Sequence, residues 1–144
     1  MNNTKNYIDY VKEETINRLN ELKNETIDVY ELTYLLVEGK VSDGTWTHNE
    51  YEAKELIKAY WDVCSEFCYY YQKNYDAPSV NPITNPELFL CQMMQEAVEN
   101  VMEQCDSYIE LLDNNEEEIC LTEKLINILV QEVRQVDSLD FIYN

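Results

Sequence analysis

The chain has 144 residues, 45% of them hydrophobic, only two glycines and three prolines, and a net charge of -19. So apolar a chain is not disordered, and one so poor in turn-forming residues is not a many-stranded sheet. The charge repels nucleic acid and anionic membranes, excluding direct binding to either, and suits rapid docking on a basic protein surface.

A length of this order is one helical domain, residues 1–144, burying roughly two-thirds of its surface. Five cysteines, an odd number without the spacing of a small secreted framework, predict reduced thiols and a cytoplasmic protein. No basic, apolar-centred leader opens the chain, and no apolar run approaches the roughly 18 residues that cross a membrane.

The first predicted helix covers about residues 4–23, with Ile8, Val11, Thr15, Leu19 and Leu22 on one face. A short second helix fits residues 28–38, with Gly39 just past its end. Thr47-His48-Asn49-Glu50 has capping-box spacing and opens a third helix, which continues to about residue 73. On it, Trp61, Cys64, Cys68 and Tyr71 share a face and are assigned to the core. Tyr60, Tyr69, Tyr70 and Tyr75 cannot all be buried beside them, and exposed tyrosine is favoured at protein interfaces.

The stretch "DAPSVNPITNPE" holds all three prolines and reads as the main loop. Asn85 then Pro86 starts a fourth helix, a cap side chain followed by a residue already fixed at helical φ. That helix runs to about residue 112, where "DNNEEE" ends it and Asn115 with Glu118 supplies the next cap. A fifth helix reaches about residue 136 on Leu121, Leu125, Ile128, Leu129 and Val133, leaving an extended tail, "DSLDFIYN". Each segment is amphipathic at helical period and none reads as a strand. The expected fold is therefore all-α, with about five amphipathic helices around a single core.

The fourth helix carries an unusual line of acids: Glu96, Glu99, Glu103, Asp106, Glu110 and Asp113, stepping by three and four. Its apolar seam, Cys91, Met94, Val98, Val101, Cys105, Tyr108 and Leu112, lies roughly opposite. A straight helix advances about 25 Å over residues 96–113, a distance over which one strand of duplex DNA carries about seven phosphates. A solvated face is the ordinary alternative. Such faces usually mix signs, however, because like charges at i,i+4 repel. Here no Lys or Arg occurs between Lys73 and Lys124, while eleven acids fall from Asp76 to Glu118. The acids also run to the helix C-terminus, where the dipole disfavours them. Glu116, Glu117 and Glu118 extend the track.

Other constellations are weaker. Cys64 and Cys68 at i,i+4 could join Cys91 or Cys105 around zinc, but no C-x-x-C pair exists and small buried hydrophobes explain them better. His48, the only histidine, has no motif partner. "DNNEEEICLTEK" is acidic like a calcium loop but has Glu118 at its sixth position and Lys124 at its twelfth, so it is not an EF-hand. Glu116 to Glu118 suit at most weak, unselective divalent-ion binding. No phosphate loop, nucleophile elbow or dinucleotide fingerprint occurs, so no catalytic residue, metal site or cofactor is assigned.

Two stretches, "DGTWTHNEYEAKELIKAYW" at residues 43–61 and "NPITNPELF" at residues 81–89, resemble small acidic proteins encoded on phages and mobile elements of Gram-positive bacteria. The resemblance covers roughly the middle third of the chain. It implies antagonism of host defence, restriction and CRISPR systems included, where several such antagonists imitate DNA. It carries over no catalytic residue.

The expected function is therefore that of a non-enzymatic inhibitor. Glu96, Glu99, Glu103, Asp106, Glu110 and Asp113, with Glu116, Glu117 and Glu118, would stand in for phosphates in the basic channel of a nuclease or DNA-binding protein. Two other readings fit an acidic helical chain: an immunity protein or antitoxin against a basic target, and a homodimer paired along the fourth-helix seam.

Overall fold

A computed structural model describes residues 3–41, 49–73, 81–114 and 117–140, with backbone only at 3–6, 38–41 and 71–73. The chain is mostly helical. In order it forms α1 (Asn3–Glu21), β1 (Thr26–Asp28), a 3-10 turn (Val29–Glu31), α2 (Leu32–Val41), α3 (Glu50–Ala59), α4 (Trp61–Phe67), a π-helical turn (Cys68–Lys73), α5 (Pro86–Glu103), α6 (Asp106–Asp113), β2 (Glu118–Cys120) and α7 (Glu123–Gln135). None of the described helices is long and apolar enough to cross a membrane.

The described residues thus hold seven α-helices where about five were expected, because the third and fourth predicted helices each divide. The third turns at Tyr60, whose φ of -111° and ψ of 32° leave helical geometry. Hydrogen bonding is hardly lost: Tyr60 N donates to Leu56 O and Cys64 N to Tyr60 O, both at 2.9 Å. The Tyr60 ring is held edge-on against Tyr7, with centroids 5.3 Å apart and planes at 65°. The turn re-aims α4. Val63, Cys64 and Phe67 face inward, while Trp61, expected in the core, stays 49% exposed.

The fourth predicted helix breaks at Gln104 and Cys105, with ψ values of 0° and 113°. Partners distant in sequence hold the break. Ser107 N, at the new helix start, donates to both carboxylate oxygens of Glu132 on α7, at 2.8 and 3.2 Å. The Gln104 side-chain amide donates to Asn100 O at 3.1 Å and to Ser138 O at 2.9 Å. Carbonyls and amides left over by a helix end need such partners.

A small antiparallel ladder also contradicts the expectation of no strand. It pairs Thr26 with Cys120, Ile27 with Ile119 and Asp28 with Glu118. Asn24 enters it at φ 70°, in the left-handed region that asparagine tolerates. Asn24 N donates to Leu121 O at 2.7 Å and Val29 N to Glu117 O at 2.9 Å. Ile27 and Ile119 point inward and are buried; three residues per strand are too few to show alternation.

Local signals resolve in part. Asn49 caps α3, accepting from Glu52 N at 2.8 Å and donating to Glu52 Oε1 at 2.9 Å. The box expected at Thr47 and His48 lies outside the described residues. Gly39 falls within α2 rather than past its end. Pro86 sits in the first turn of α5, but Asn85 makes no side-chain cap bond. Glu118 is in β2, and Thr122 caps α7 by accepting from Leu125 N at 3.2 Å; Asn115 lies outside the described residues.

Helix α5 is central, packing on α1, α2 and α3, while α1 also packs on α7. Phe89, Met93, Ala97 and Val101 of α5 are fully buried, but Cys91 and Met94, expected in its seam, are half-buried. Val98, Val101, Cys105 and Tyr108 of the seam are buried within the chain, and Leu112 is half-buried.

The net charge of -19 opposes this compact state. Melting temperature is therefore expected to rise as salt is added between about 10 and 200 mM, as screening shortens the reach of the repulsion. A melting temperature indifferent to salt, read by circular dichroism, would show that the acids are neutralised within the fold.

Candidate acidic interface

The bend at Gln104 and Cys105 divides the predicted stripe. On α5 three neighbouring helices leave only a narrow open strip. Glu96 and Glu99 are half-buried beside it and Glu103 is exposed. Gln95 donates to Glu99 Oε1 at 3.0 Å. The segment after α7 crosses the end of this strip, where Asp140 N donates to Asn100 Oδ1 at 3.2 Å. Asn100 is itself buried and donates to Glu96 O at 2.8 Å.

Here the acids crowd one another. The Glu103 carboxyl is held above its ordinary value by partial covering first, then by Glu99 and Asp140. The buried Tyr108 is raised too, by its burial first. A side-chain hydrogen bond with Thr33 acts against that, and Glu103 and Glu99 add to it. A carboxyl that holds its proton more tightly when folded costs stability at neutral pH. The cost disappears as pH falls through the raised value toward the ordinary 4.5. Glu103→Gln is therefore expected to melt above the wild type at pH 7, the gap narrowing toward pH 4.5. A gap that widens on acidification would contradict this.

On α6 the geometry is open. Asp106, Glu110 and Asp113 are all exposed and, at steps of four and three, share one strip about 10 Å long. Asp106 also lines a shallow groove against α7 with Lys124, Ile128 and Glu132. Glu117, just before β2, and Glu118, its first residue, are exposed as well. Glu116 lies outside the described residues. Glu118 stands directly across the ladder from Asp28, a like-charge pairing that normally costs stability. Among the described residues, Glu103, Asp106, Glu110, Asp113, Glu117 and Glu118 make no ion pair. The pairs that form lie elsewhere, Arg18 with Glu21 at 2.7 Å and Lys54 with Glu50 at 3.0 Å.

So Asp106, Glu110 and Asp113 are exposed on α6 and Glu117 and Glu118 on the chain that follows it, an α6–β2 edge continuous in sequence, while Glu96, Glu99 and Glu103 lie on α5. The structure also shows two residues that the sequence reading missed. Tyr30 and Tyr34 are each 51% exposed. Their signal was the i,i+4 spacing between the inward positions Val29, Leu32 and Leu36. Of the tyrosines expected at the surface, Tyr69 is exposed, Tyr60 and Tyr70 are half-buried, and Tyr75 is outside the described residues.

Cys64 and Cys105 are buried, and burial pushes each up to about 12, with Cys68 adding to Cys64, and Glu132 and Asp106 to Cys105. Among the described residues no three His, Cys, Asp or Glu side chains converge as metal ligands would. No family model matches the chain, and no curated protein or solved structure matches it either.

Proposed function

We propose that this protein is a non-enzymatic inhibitor that offers carboxylates where a basic protein receives phosphates. The observation that carries the reading is the α6–β2 edge, with Asp106, Glu110, Asp113, Glu117 and Glu118 exposed and without ion pairs among the described residues. A protein that used acids only to stay soluble would gain by interleaving Lys or Arg, and none occurs between Lys73 and Lys124. Surface carboxylates held on a helix and a ladder are preorganised, so little ordering cost is left for binding. The target is a nuclease or DNA-binding protein of a host-defence system, restriction or CRISPR, met in the cytoplasm, and the α5 acids Glu96, Glu99 and Glu103 contribute only at the margin.

A second reading has its own observation. The groove lined by Lys54, Ile57, Lys58, Trp61, Pro82 and Ile83 is apolar and open, with Trp61 49% and Ile83 75% exposed. It favours an immunity protein or antitoxin that grips its target partly by apolar contact, away from the acids.

Capture from a Gram-positive bacterial lysate separates the two. Mimicry calls for a basic nucleic-acid-binding partner that added duplex DNA releases. A partner that DNA leaves in place would overturn mimicry and support the second reading.

A further inference from the structure

We infer that two copies of this chain pair through the face formed by α3 and the start of α5. A two-fold axis sets the cationic half of that face on each copy against the anionic half on the other. Such pairing is independent of the acidic edge and its basic partner, and it competes with the second reading for the groove at Trp61.

The local sequence builds the face. Ala53 is fully buried and Ile57 nearly so, which turns one side of α3 inward and leaves Glu50, Lys54 and Lys58 in solvent. Beside α3 runs the segment that leads into α5. There Asn81 Oδ1 accepts from Ile83 N at 2.7 Å and from Thr84 N at 3.2 Å, and Asn81 O accepts from Asn85 N at 2.8 Å. An asparagine turn closed by its own side chain fixes the backbone, so Ile83 is held outward. Pro86 then sets the first turn of α5 and is itself buried, while Glu87 and Leu88 stay in solvent.

The face carries two adjoining hollows of opposite charge. One is the groove lined by Lys54, Ile57, Lys58, Trp61, Pro82 and Ile83, whose two charged residues are both cations. The other is lined by Glu50, Glu87, Pro86 and Leu88, with Thr84, Asn85 and Cys91, and its two charged residues are both anions. Lys54 Nζ bonds Glu50 Oε1 at 3.0 Å, so one ion pair joins the hollows. Lys58 in the first and Glu87 in the second make no ion pair among the described residues. Each hollow also exposes large apolar side chains, Trp61 and Ile83 in one and Leu88 in the other.

An apolar face left open in this way marks an interface. Its charge selects the occupant. A uniformly basic partner is repelled by Lys54 and Lys58, and a uniformly acidic one by Glu50 and Glu87, so each is opposed over half of the face. A second copy turned about a two-fold axis is opposed over neither half, because Lys58 of each copy then meets Glu87 of the other. Glu55 and Asp62, exposed on α3 and α4, line neither hollow. The net charge of -19 on each copy does repel at long range. Salt screens that long-range term, and it screens pairs covered by an interface much less.

The test is equilibrium sedimentation of the full chain at about 150 mM salt, where the wild type is expected to show a monomer–dimer equilibrium. Each charge reversal changes the net charge by two, so Lys58→Glu takes -19 to -21 and Glu87→Lys takes it to -17. Total charge alone would weaken pairing in the first variant and strengthen it in the second. The two-fold contact requires both to weaken it by more than about tenfold, since each brings like charges together twice. An equimolar mixture of the two variants should recover the dimer, because the charges that meet are again opposite. The double variant Lys58→Glu/Glu87→Lys should recover it too, which also shows that neither substitution harms the fold. Pairing that survives either single variant, or that fails to return in the mixture, overturns the proposed contact. A wild type that stays monomeric at every concentration overturns pairing outright and leaves the acidic edge and its basic partner untouched.

Discussion

Phe89→Ala is expected to lower the stability of the fold by about 3–5 kcal/mol, the usual cost of deleting a buried aromatic ring. Phe89 is fully buried and meets Phe67 edge-on, with centroids 5.5 Å apart and planes at 86°. That geometry favours the ring quadrupoles and adds about 0.5–1.5 kcal/mol beyond the area buried. Phe89 also lies one turn into the helix on which α1, α2 and α3 converge, so the walls of the cavity are held from several sides and collapse little. A domain of this size is stable by about 5–15 kcal/mol in all, so this one change removes a large share. The neighbouring Leu88, 56% exposed, is the internal control: Leu88→Ala is expected to move stability by only about 0.5 kcal/mol. Urea unfolding midpoints compare the two, and a loss under about 1 kcal/mol for Phe89→Ala would place the ring outside a packed core.

The largest functional effect is expected from reversing the α6–β2 edge. Glu110→Lys/Asp113→Lys/Glu118→Lys should weaken binding to the basic partner by more than about a hundredfold, roughly 1 kcal/mol for each charge-assisted hydrogen bond removed. The fold should survive, because all three side chains are exposed. Each reversal adds two to the charge, so -19 becomes -13, and the Asp28–Glu118 repulsion across the ladder becomes attraction. Stability should hold or rise. Net charge alone would weaken binding too. Glu13→Lys/Glu55→Lys/Asp62→Lys makes the same charge change at exposed positions of α1, α3 and α4. That control should cost binding less than about fivefold, mostly in association rate. Equal losses in the two variants would mean that the partner senses total charge and not this edge.

The helical class was legible because apolar residues recur at helical period from end to end. The last helix shows it best in extent: apolar residues from Leu121 to Val133 predicted a helix to about residue 136, and the structure has Glu123–Gln135 with Thr122 as its cap, although Ile128 of the predicted face is 41% exposed and Ile126 and Val130 are buried instead. What escaped the sequence was set by contacts between distant residues. Nothing near Cys105 announces a break; the bend exists because Glu132, on another helix, caps a new start at Ser107. The ladder joins residues about ninety apart through strands of three. Trp61 looked inward because helical phase was carried straight through Tyr60, where the chain turns. The acids were all visible as residues, but their standing as a surface was not. Whether Glu99 is open or covered depends on which helices flank α5, and that information sits in α2 and in the tail. The tyrosines of α2 were overlooked for the converse reason. Their signal is outward-facing, and an apolar pattern reading follows the inward face.

The central claim is that this protein occupies a nucleic-acid site. The most direct measurement is equilibrium competition on the captured partner: fluorescent duplex DNA is bound first, and the protein is then titrated in while anisotropy is followed. Under mimicry the DNA leaves in proportion to the protein added, and stays when the Glu110, Asp113 and Glu118 reversal is added instead. A ternary complex, with anisotropy rising while the DNA remains bound, would contradict mimicry and move the contact away from α6 and β2.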